Sequence, residues 1–531
     1  MKKNIFWVYV RNIIIPCIFF SLITGLLTGA VVVFYKLLAN EIIHLSHEIY
    51  TSIRYNPILL LPAVAVIVLI AILLRFVNKF APDAKGGGIA NAIAFLRGLV
   101  TFKWLRTLLG VIFNSLLTFL VGVPLGNEGP SVLAGTAVGR GVIETLGKKN
   151  KAWNRYIMTG GASAGFAAAT HSPVSGVLLA LEEAHHRLSP MLLMVAGTCV
   201  CFSIISVNFF SELLGVSPDL FSSLAPITLQ LSDLWIPLLV GIFAGVFSVL
   251  FTNTMKYTRK KLSHKTGTLK RTLTVIFVFL VTLLFGTISQ NFISTGHHLI
   301  EELLEENSIA IFTLLAIFVV RFLLTSASTG TGITGGTFIP TLAFGALFSS
   351  IIAKILIIFG LNPSYYQVII LLGMSACISG TTKTPLTAIV FALEALSLAS
   401  NVLSVAIACI ITYIISEIFC PKSANDEIME IRVEEETHDK APVLVDACVT
   451  VQENSFAVGK QIRDIFWPNN LFVLSLKRSD QRPHIDEHGE KNLYPGDILH
   501  VRYSTYDTQK THEELLTIVG EQNYVENEWN E

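Results

Sequence analysis

Charge is what this chain has least of. Only 14% of its 531 residues are Asp, Glu, Lys or Arg, against roughly a quarter in a soluble domain, so most of its surface need not face water. Cysteine is sparse as well. The seven cysteines form no CxxC pair and no Cys/His cluster of zinc spacing, so neither a disulfide framework nor a metal is expected. They read as small hydrophobes. No HExxH occurs, which argues against an intramembrane metalloprotease, and the TVGYG filter of potassium channels is absent. Formal net charge is zero, so no basic excess calls for nucleic acid, and nothing calls for a cofactor. Gly330-Thr-Gly-Ile-Thr-Gly335 fits GxGxxG, but it follows the apolar run ending near Leu324 rather than a strand, and the dinucleotide reading fails.

What the chain has in quantity is apolar residues, 52% of the total, with mean hydropathy +0.62. Runs of about 20 residues, long enough to cross a bilayer, are expected near 13–37, 57–79, 104–124, 191–214, 235–255, 272–292, 309–327, 340–360 and 402–420. Hydrophobicity does not stop after the first run, which excludes a signal peptide ahead of a globular domain. Basic residues gather at Lys2, Lys3 and Arg11, at Lys148, Lys149 and Lys151, and from Lys256 to Arg271, while Glu301, Glu302, Glu305 and Glu306 form an acidic loop. Positive-inside bias predicts a multi-pass protein of the cell membrane with N-terminus and C-terminal domain in the cytoplasm.

Composition changes near Cys420. Residues 1–425 read as the membrane domain and 426–531 as a small α+β cytoplasmic domain. Strands are predicted at 443–450, 471–476 and 498–503, with a helix over 458–465 and turns at Pro468-Asn-Asn470 and Pro495-Gly-Asp497.

The membrane part repeats itself. Gly161–Glu182 aligns without gaps on Gly373–Glu394, with eight identical positions that include Pro173/Pro385 and the closing Ala-Leu-Glu. Upstream, Gly126-Asn-Glu-Gly-Pro130 lies over Gly336-Thr-Phe-Ile-Pro340. The halves run from about 10 to 215 and from 235 to 425. Transporters built from duplicated halves place their sites where broken helices of the two halves meet.

Three glycine-rich interruptions break the apolar pattern: Lys85-Gly-Gly-Gly-Ile-Ala90 and the two repeated motifs. Irregular backbone at membrane depth is tolerated only where it is buried in protein or lines a cavity. Proline in the second and third motifs suits the first turn of a helix, and a helix start, with its unpaired N–H groups, attracts anions. Taken alone, each cluster would be an ordinary turn; together they point to an anion site. Glu128 stands in the second motif. An acid there is expensive unless it works: charged, it occupies the anion-attracting helix end, and protonated, it yields that place to an anion. The segment from Tyr156 to Leu181 is too short for two crossings and is broken by Pro173, so it dips in and returns to the side it came from. Glu183 then sits where protons enter toward Glu128; a solvated helix end is the plainer alternative for it.

These motifs resemble the CLC family of chloride channels and proton-coupled chloride exchangers over residues 10–425. Gly126–Pro130 matches that family's GREGP, Gly336–Pro340 its GxFxP, and Gly86-Gly-Gly-Ile-Ala90 is a degraded GSGIP. The resemblance implies an all-α fold with an inverted repeat and broken helices, a homodimer with one anion pathway per subunit, and exchange of chloride for protons across a lipid membrane. It implies Glu128 as the external gate and proton acceptor and Glu183 as the internal proton-transfer acid, which favours an exchanger. The anion would meet the backbone of Gly87, Gly88, Thr337, Phe338 and Ile339. Three positions depart from the pattern. Gly87 stands where a serine hydroxyl is expected, Asn127 replaces the arginine, and Asn425 is nearest to the place of a missing tyrosine. Those losses loosen the central site and keep a passive chloride channel and a fluoride/proton antiporter as alternatives. The tail resembles the C-terminal subdomain of RCK (TrkA-C) regulators of potassium transport through Ser455–Arg463 and Gly496-Asp497. That resemblance implies dimerisation and a small ligand such as cyclic di-AMP; a domain that only supports assembly is the alternative, and a potassium transport system is the reading from another class.

Overall fold

In the computed structural model, residues 10–147, 151–221, 226–262, 268–305, 309–437, 441–478, 489–520 and 524–525 are described. The basic residues Lys2, Lys3, Lys148 and Lys149, part of the 256–271 run, and Glu306 lie outside them. The first half comprises α1 (Ile15–Tyr55), α2 (Leu60–Phe80), α3 (Ile89–Leu96), α4 (Trp104–Val121), α5 (Glu128–Leu146), α6 (Asn154–Thr170), α7 (Pro173–Leu179) and α8 (Pro190–Leu214). The second comprises α9 (Trp235–Leu262), α10 (Thr268–Ile288), α11 (His297–Glu305), α12 (Ile311–Thr331), α13 (Phe338–Ile358), α14 (Tyr366–Thr382), α15 (Pro385–Ala395) and α16 (Val402–Phe419). Then come α17 (Ala424–Thr437), strands β1 (Val443–Thr450), β2 (Leu471–Lys477) and β3 (Ile498–Thr505), α18 (Thr508–Val519) and the short β4 (Tyr524–Val525).

Among the described residues ten helices are long and apolar enough to span a membrane. Nine coincide with the runs read from the sequence. The tenth, Pro363–Thr382, was not among them: its hydropathy is only 1.2, yet 89% of it is buried. Gly373, Ser375, Ser379 and Gly380 dilute its hydrophobicity because it packs on protein rather than lipid. It is the repeat partner of α6.

The duplication is visible in the packing. α5 and α6 touch through Gly135 and Gly161, where a Cβ on either would collide with the other's carbonyl oxygen. α13 and α14 touch through the aligned Gly345 and Gly373, where a Cβ on Gly345 would stand 2.5 Å from the Gly373 oxygen. Without a hydrophobic drive between helices in lipid, such close backbone approach supplies the packing. The two closing glutamates swap partners. Glu182 accepts the N–H groups of Leu386 and Thr387 at the start of α15, at 3.1 and 2.8 Å. Glu394 accepts those of Val174 and Ser175 at the start of α7, at 2.8 and 2.9 Å. Each half thus caps the other half's Pro-led helix.

The chain reverses at His171, in the left-handed region with φ +52°, where its ring meets Asp219 and Asn208 near the far end of α8. Both ends of the α6–α7 hairpin lie on the face that carries the tail, as the Pro173 break required. The polar helix α17 stays with the helical layer: Asn425, Asp426, Glu427 and Arg432 are buried, and it packs on α3 and α9.

The tail is an antiparallel sheet in the order β2-β3-β1-β4, with β1 pairing Val443 with Thr505 through Thr450 with Ile498. The helix predicted over 458–465 is not formed. Gly459 has φ +81°, its N–H donates to the Leu493 carbonyl at 2.8 Å, and the Leu493 N–H donates to that of Lys460 at 2.9 Å, so only a short 3-10 turn at Ile462–Asp464 remains. Pairing with Lys491–Leu493, further on in the same chain, defeated a local helical propensity. The tail's helix is instead α18, started by Asp507, whose side chain accepts the Lys510 N–H.

The tail docks on the membrane part through Phe466. Its ring lies under the guanidiniums of Arg155 (4.9 Å) and Arg187 (4.8 Å) and against Tyr156 (4.4 Å) and His185 (4.6 Å). The Tyr156 hydroxyl donates to the Asp464 carbonyl at 2.6 Å and accepts the Phe466 N–H at 2.9 Å.

Candidate anion site

The three glycine breaks meet in space. The N–H of Gly126 donates to the carbonyl of Gly336 and the N–H of Gly336 to that of Gly126, both at 2.7 Å, an isolated antiparallel bridge between the two halves. Gly335 donates to the Gly86 carbonyl at 3.3 Å. Only glycine permits this: a Cβ on Gly129 would stand 2.5 Å from the Gly87 oxygen and 2.8 Å from the Gly336 Cα, while Gly88 abuts the Gly129 carbonyl and has φ +72°. Gly87 differs, since the nearest atom to a Cβ there is 3.9 Å away. The place of the missing hydroxyl is open space.

Glu128 opens α5 and is 1% exposed. Its carboxylate folds back over Gly126 toward Ile339. The backbone N–H groups of Glu128 and Ile339 act on it, as do the positive charges of Lys36 and His297, while Oε2 has no hydrogen-bond partner. His297, on the short helix α11, would be lowered by burial alone. Its pairing with Glu301 and its bond to the Leu220 carbonyl outweigh that and raise it above its ordinary value.

Beneath the bridge lies a cavity of about 10 Å³, lined by Ile89, Phe251, Thr337, Phe338, Thr381 and Asn425 among others, room for roughly one water-sized sphere. Phe338 stands edge-on to Phe166 and Phe391, at 5.0 and 5.1 Å. The hydroxyls of Thr341, Thr381 and Thr382 donate to their own helices, at 2.8, 2.8 and 2.7 Å. The donors left for an ion are the first-turn N–H groups of α13, which have no acceptor within the helix, and the Asn425 amide.

Glu183, 1% exposed, sits in a single π turn, Ala180–Ala184. Its Oε1 accepts the Asn425 Nδ2–H at 2.7 Å, and Oε2 has no partner. Asn425 therefore touches both the acid and the small cavity. Arg97 fixes the turn by donating to the carbonyls of Ala184 (2.7 Å) and Glu183 (3.0 Å) and pairing with Asp426 at 2.9 Å. A second cavity of about 20 Å³, with Glu183, Ile89, Ser163 and Val132 on its wall, leads from the acid toward α5, one turn past Glu128.

Gly87, Gly88, Glu128 and Ile339 are thus gathered at the glycine bridge, and Thr337, Phe338 and Asn425 at the cavity, with Glu183 one hydrogen bond away. Sequence reasoning missed Arg97, Asp426 and Lys36. Lys36 and Arg97 did carry a signal, each being a cation inside apolar sequence. Asn425 was placed by alignment, but its bond to Glu183 joins residues 242 positions apart and left no mark in the sequence.

Broken helices from two related halves, converging on a buried acid and an ion-sized cavity, define a membrane transporter rather than an enzyme. Residues 69–417 match the family model described as "Voltage gated chloride channel", and the chain belongs to this CLC family of anion transporters. It is 28% identical over 400 residues to the H(+)/Cl(-) exchange transporter ClcA of Vibrio vulnificus, covering 72% of this chain and 82% of the relative. Against ClcA of Yersinia pestis it is 26% identical over 396 residues, covering 72% and 80%. Among solved structures, a slow cyanobacterial Cl-/H+ antiporter superposes with TM-score 0.73 at 22% identity, over 79% of this chain and 99% of the other. A CLC-type fluoride/proton antiporter gives 0.65 at 20%, over 78% and 98%.

Proposed function

We propose that the chain exchanges chloride for protons, with Glu128 as gate and proton acceptor and Glu183 as the proton-transfer acid on the tail side. The observation that carries this is the pair of buried acids flanking one ion-sized cavity, the first lying over the Gly126–Gly336 bridge and the second tied to the cavity wall by Asn425. Chloride would rest on the N–H groups of Thr337, Phe338 and Ile339, with the backbone of Gly87 and Gly88 completing the cradle. In liposomes loaded with chloride, the protein is expected to drive protons uphill as chloride leaves; chloride flux with no proton movement would replace this reading by a passive channel. Fluoride/proton antiport is the second reading. It is favoured by a small cavity whose threonine hydroxyls are already engaged and by the open space at Gly87. Fluoride outcompeting chloride in the same vesicles would establish it.

The assembly we propose is a homodimer. Glu182 and Glu394 lie only part-buried on an outward face, beside Val174 and Leu386, each 52% exposed. Carboxylates facing hydrocarbon are costly, and a second copy would cover them. The N-terminus and tail are assigned to the cytoplasm. The unit from β1 onward is read as a TrkA-C-like regulatory domain taking a ligand such as cyclic di-AMP, tested by calorimetric titration of the full chain with that dinucleotide.

A further inference from the structure

A large pocket opens on the tail-side face, bordered by Lys85 and Gly332–Thr334 just ahead of two of the glycine breaks. Its volume is about 840 Å³, well within the range of ligand sites. Arg75, Lys79, Lys85, Arg259, Arg271 and Arg432 line it, against Glu435 and Glu436. The cations are poorly answered. Arg259, 4% exposed, reaches Glu435 only at 3.9 Å, and its Nε has no hydrogen-bond partner. Arg432, 7% exposed, gives Nη2 to Asp83 at 2.9 Å and shares Nε and Nη2 with Glu436 at 3.3 Å, which leaves Nη1 unpartnered. Nε and Nη2 of Arg271 are unpartnered too. Arg259 and Lys85 crowd the same residue, for a Cβ on Gly332 would lie 2.7 Å from Arg259 Nη1 and 3.0 Å from Lys85 Cε.

Buried guanidinium N–H groups left without acceptors are expensive, and a fork of such donors fits phosphate oxygens in pairs. The pocket is also two-sided. Its upper wall is apolar, from the spanning helices α2 and α10, and Phe76 there is 65% exposed. We propose that this pocket binds the phosphate group of an anionic phospholipid, with the acyl chains against α2 and α10 and the head group among Arg259, Arg271 and Arg432. The apolar wall favours a lipid over a free phosphate compound. Occupancy would be felt at the anion site by two routes. α17 carries Arg432 and Glu435 in the pocket and Asn425 at the cavity, and Lys85 immediately precedes Gly86–Gly88.

The test is native mass spectrometry of the full-length protein in detergent, titrated with phosphatidylglycerol, phosphatidylcholine and, separately, inorganic pyrophosphate. Phosphatidylglycerol is expected to bind about 10-fold more tightly than phosphatidylcholine. Arg271→Gln, and the exposed pair Arg75→Gln with Lys79→Gln, should each erase about 5-fold or more of that preference. Pyrophosphate bound with the same sensitivity to the variants, and no lipid preference, would keep the phosphate site and make its source soluble. Variants that leave both affinities unchanged overturn the proposal. If they slow chloride flux while doing so, the pocket is an entrance for the transported ion. Should Arg271→Gln fail to fold, the surface pair decides alone.

Discussion

The two halves of the membrane domain share a scaffold and differ in chemistry. At aligned positions both place glycine where helices touch, Gly135 with Gly161 and Gly345 with Gly373, and both end on a glutamate that caps the opposite half. Where they diverge, the site appears. Glu128 of the first half corresponds to Phe338 of the second, and Glu183 to Ala395. One half supplies titratable acids, the other an apolar ring and a clean helix start. The protein keeps symmetry for packing and breaks it for function, because an acid in both halves would set two like charges across one bridge.

The comparison can be broken most sharply at Glu128. Glu128→Ala should cut uphill proton movement by about 100-fold or more while chloride flux continues, read in liposomes with a pH electrode. Loss of both fluxes would mean that the acid only holds the scaffold. Asn425→Leu comes next. Removing a hydrogen bond to a buried carboxylate should slow proton transport by about 10-fold and chloride flux by less, so that the measured ratio of the two shifts. Equal slowing would assign Asn425 to the anion alone.

The shared scaffold gives smaller effects. Glu182→Gln and Glu394→Gln should each cost about 1–2 kcal/mol, lowering the detergent melting temperature by similar amounts and leaving the proton-to-chloride ratio alone. A change of ratio in only one of them would show that the caps are not equivalent. The smallest effect contrasts the membrane part with its tail. Burial pushes the Lys460 ammonium down to about 7; it lies 3.4 Å from the Phe456 ring centre and donates to the Phe456 carbonyl. The unfolded chain keeps that proton up to about pH 10. Between the two values the unfolded state holds more protons, and tail stability rises with pH. From pH 7 to 9 the gain should be on the order of 1 kcal/mol, seen as slower hydrogen exchange in β1 and β3, and Lys460→Met should flatten it.

Elements set by local pattern were legible in the sequence. Apolar runs reported nine of the ten spans, alternation reported β1, β2 and β3, and Pro173 and Pro385 marked the broken helices. The tenth span was missed and a tail helix wrongly expected for opposite reasons: α14 is too rich in small polar residues to look like membrane, and the Val458–Ile465 pattern looked helical until pairing with Lys491–Leu493 claimed its backbone. Glu128 stood out because a lone acid among glycines in apolar sequence is conspicuous.

By itself the sequence determined that this is a duplicated membrane protein with three backbone breaks and an acid in one of them, since hydrophobic length, proline and glycine act on the chain locally. The tertiary structure decided that the breaks meet, that Asn425 ties Glu183 to the cavity, and that arginines from four helices share one pocket. Those relations depend on which helices lie side by side, and the energy that sets them is spread over many close contacts between residues far apart in the chain.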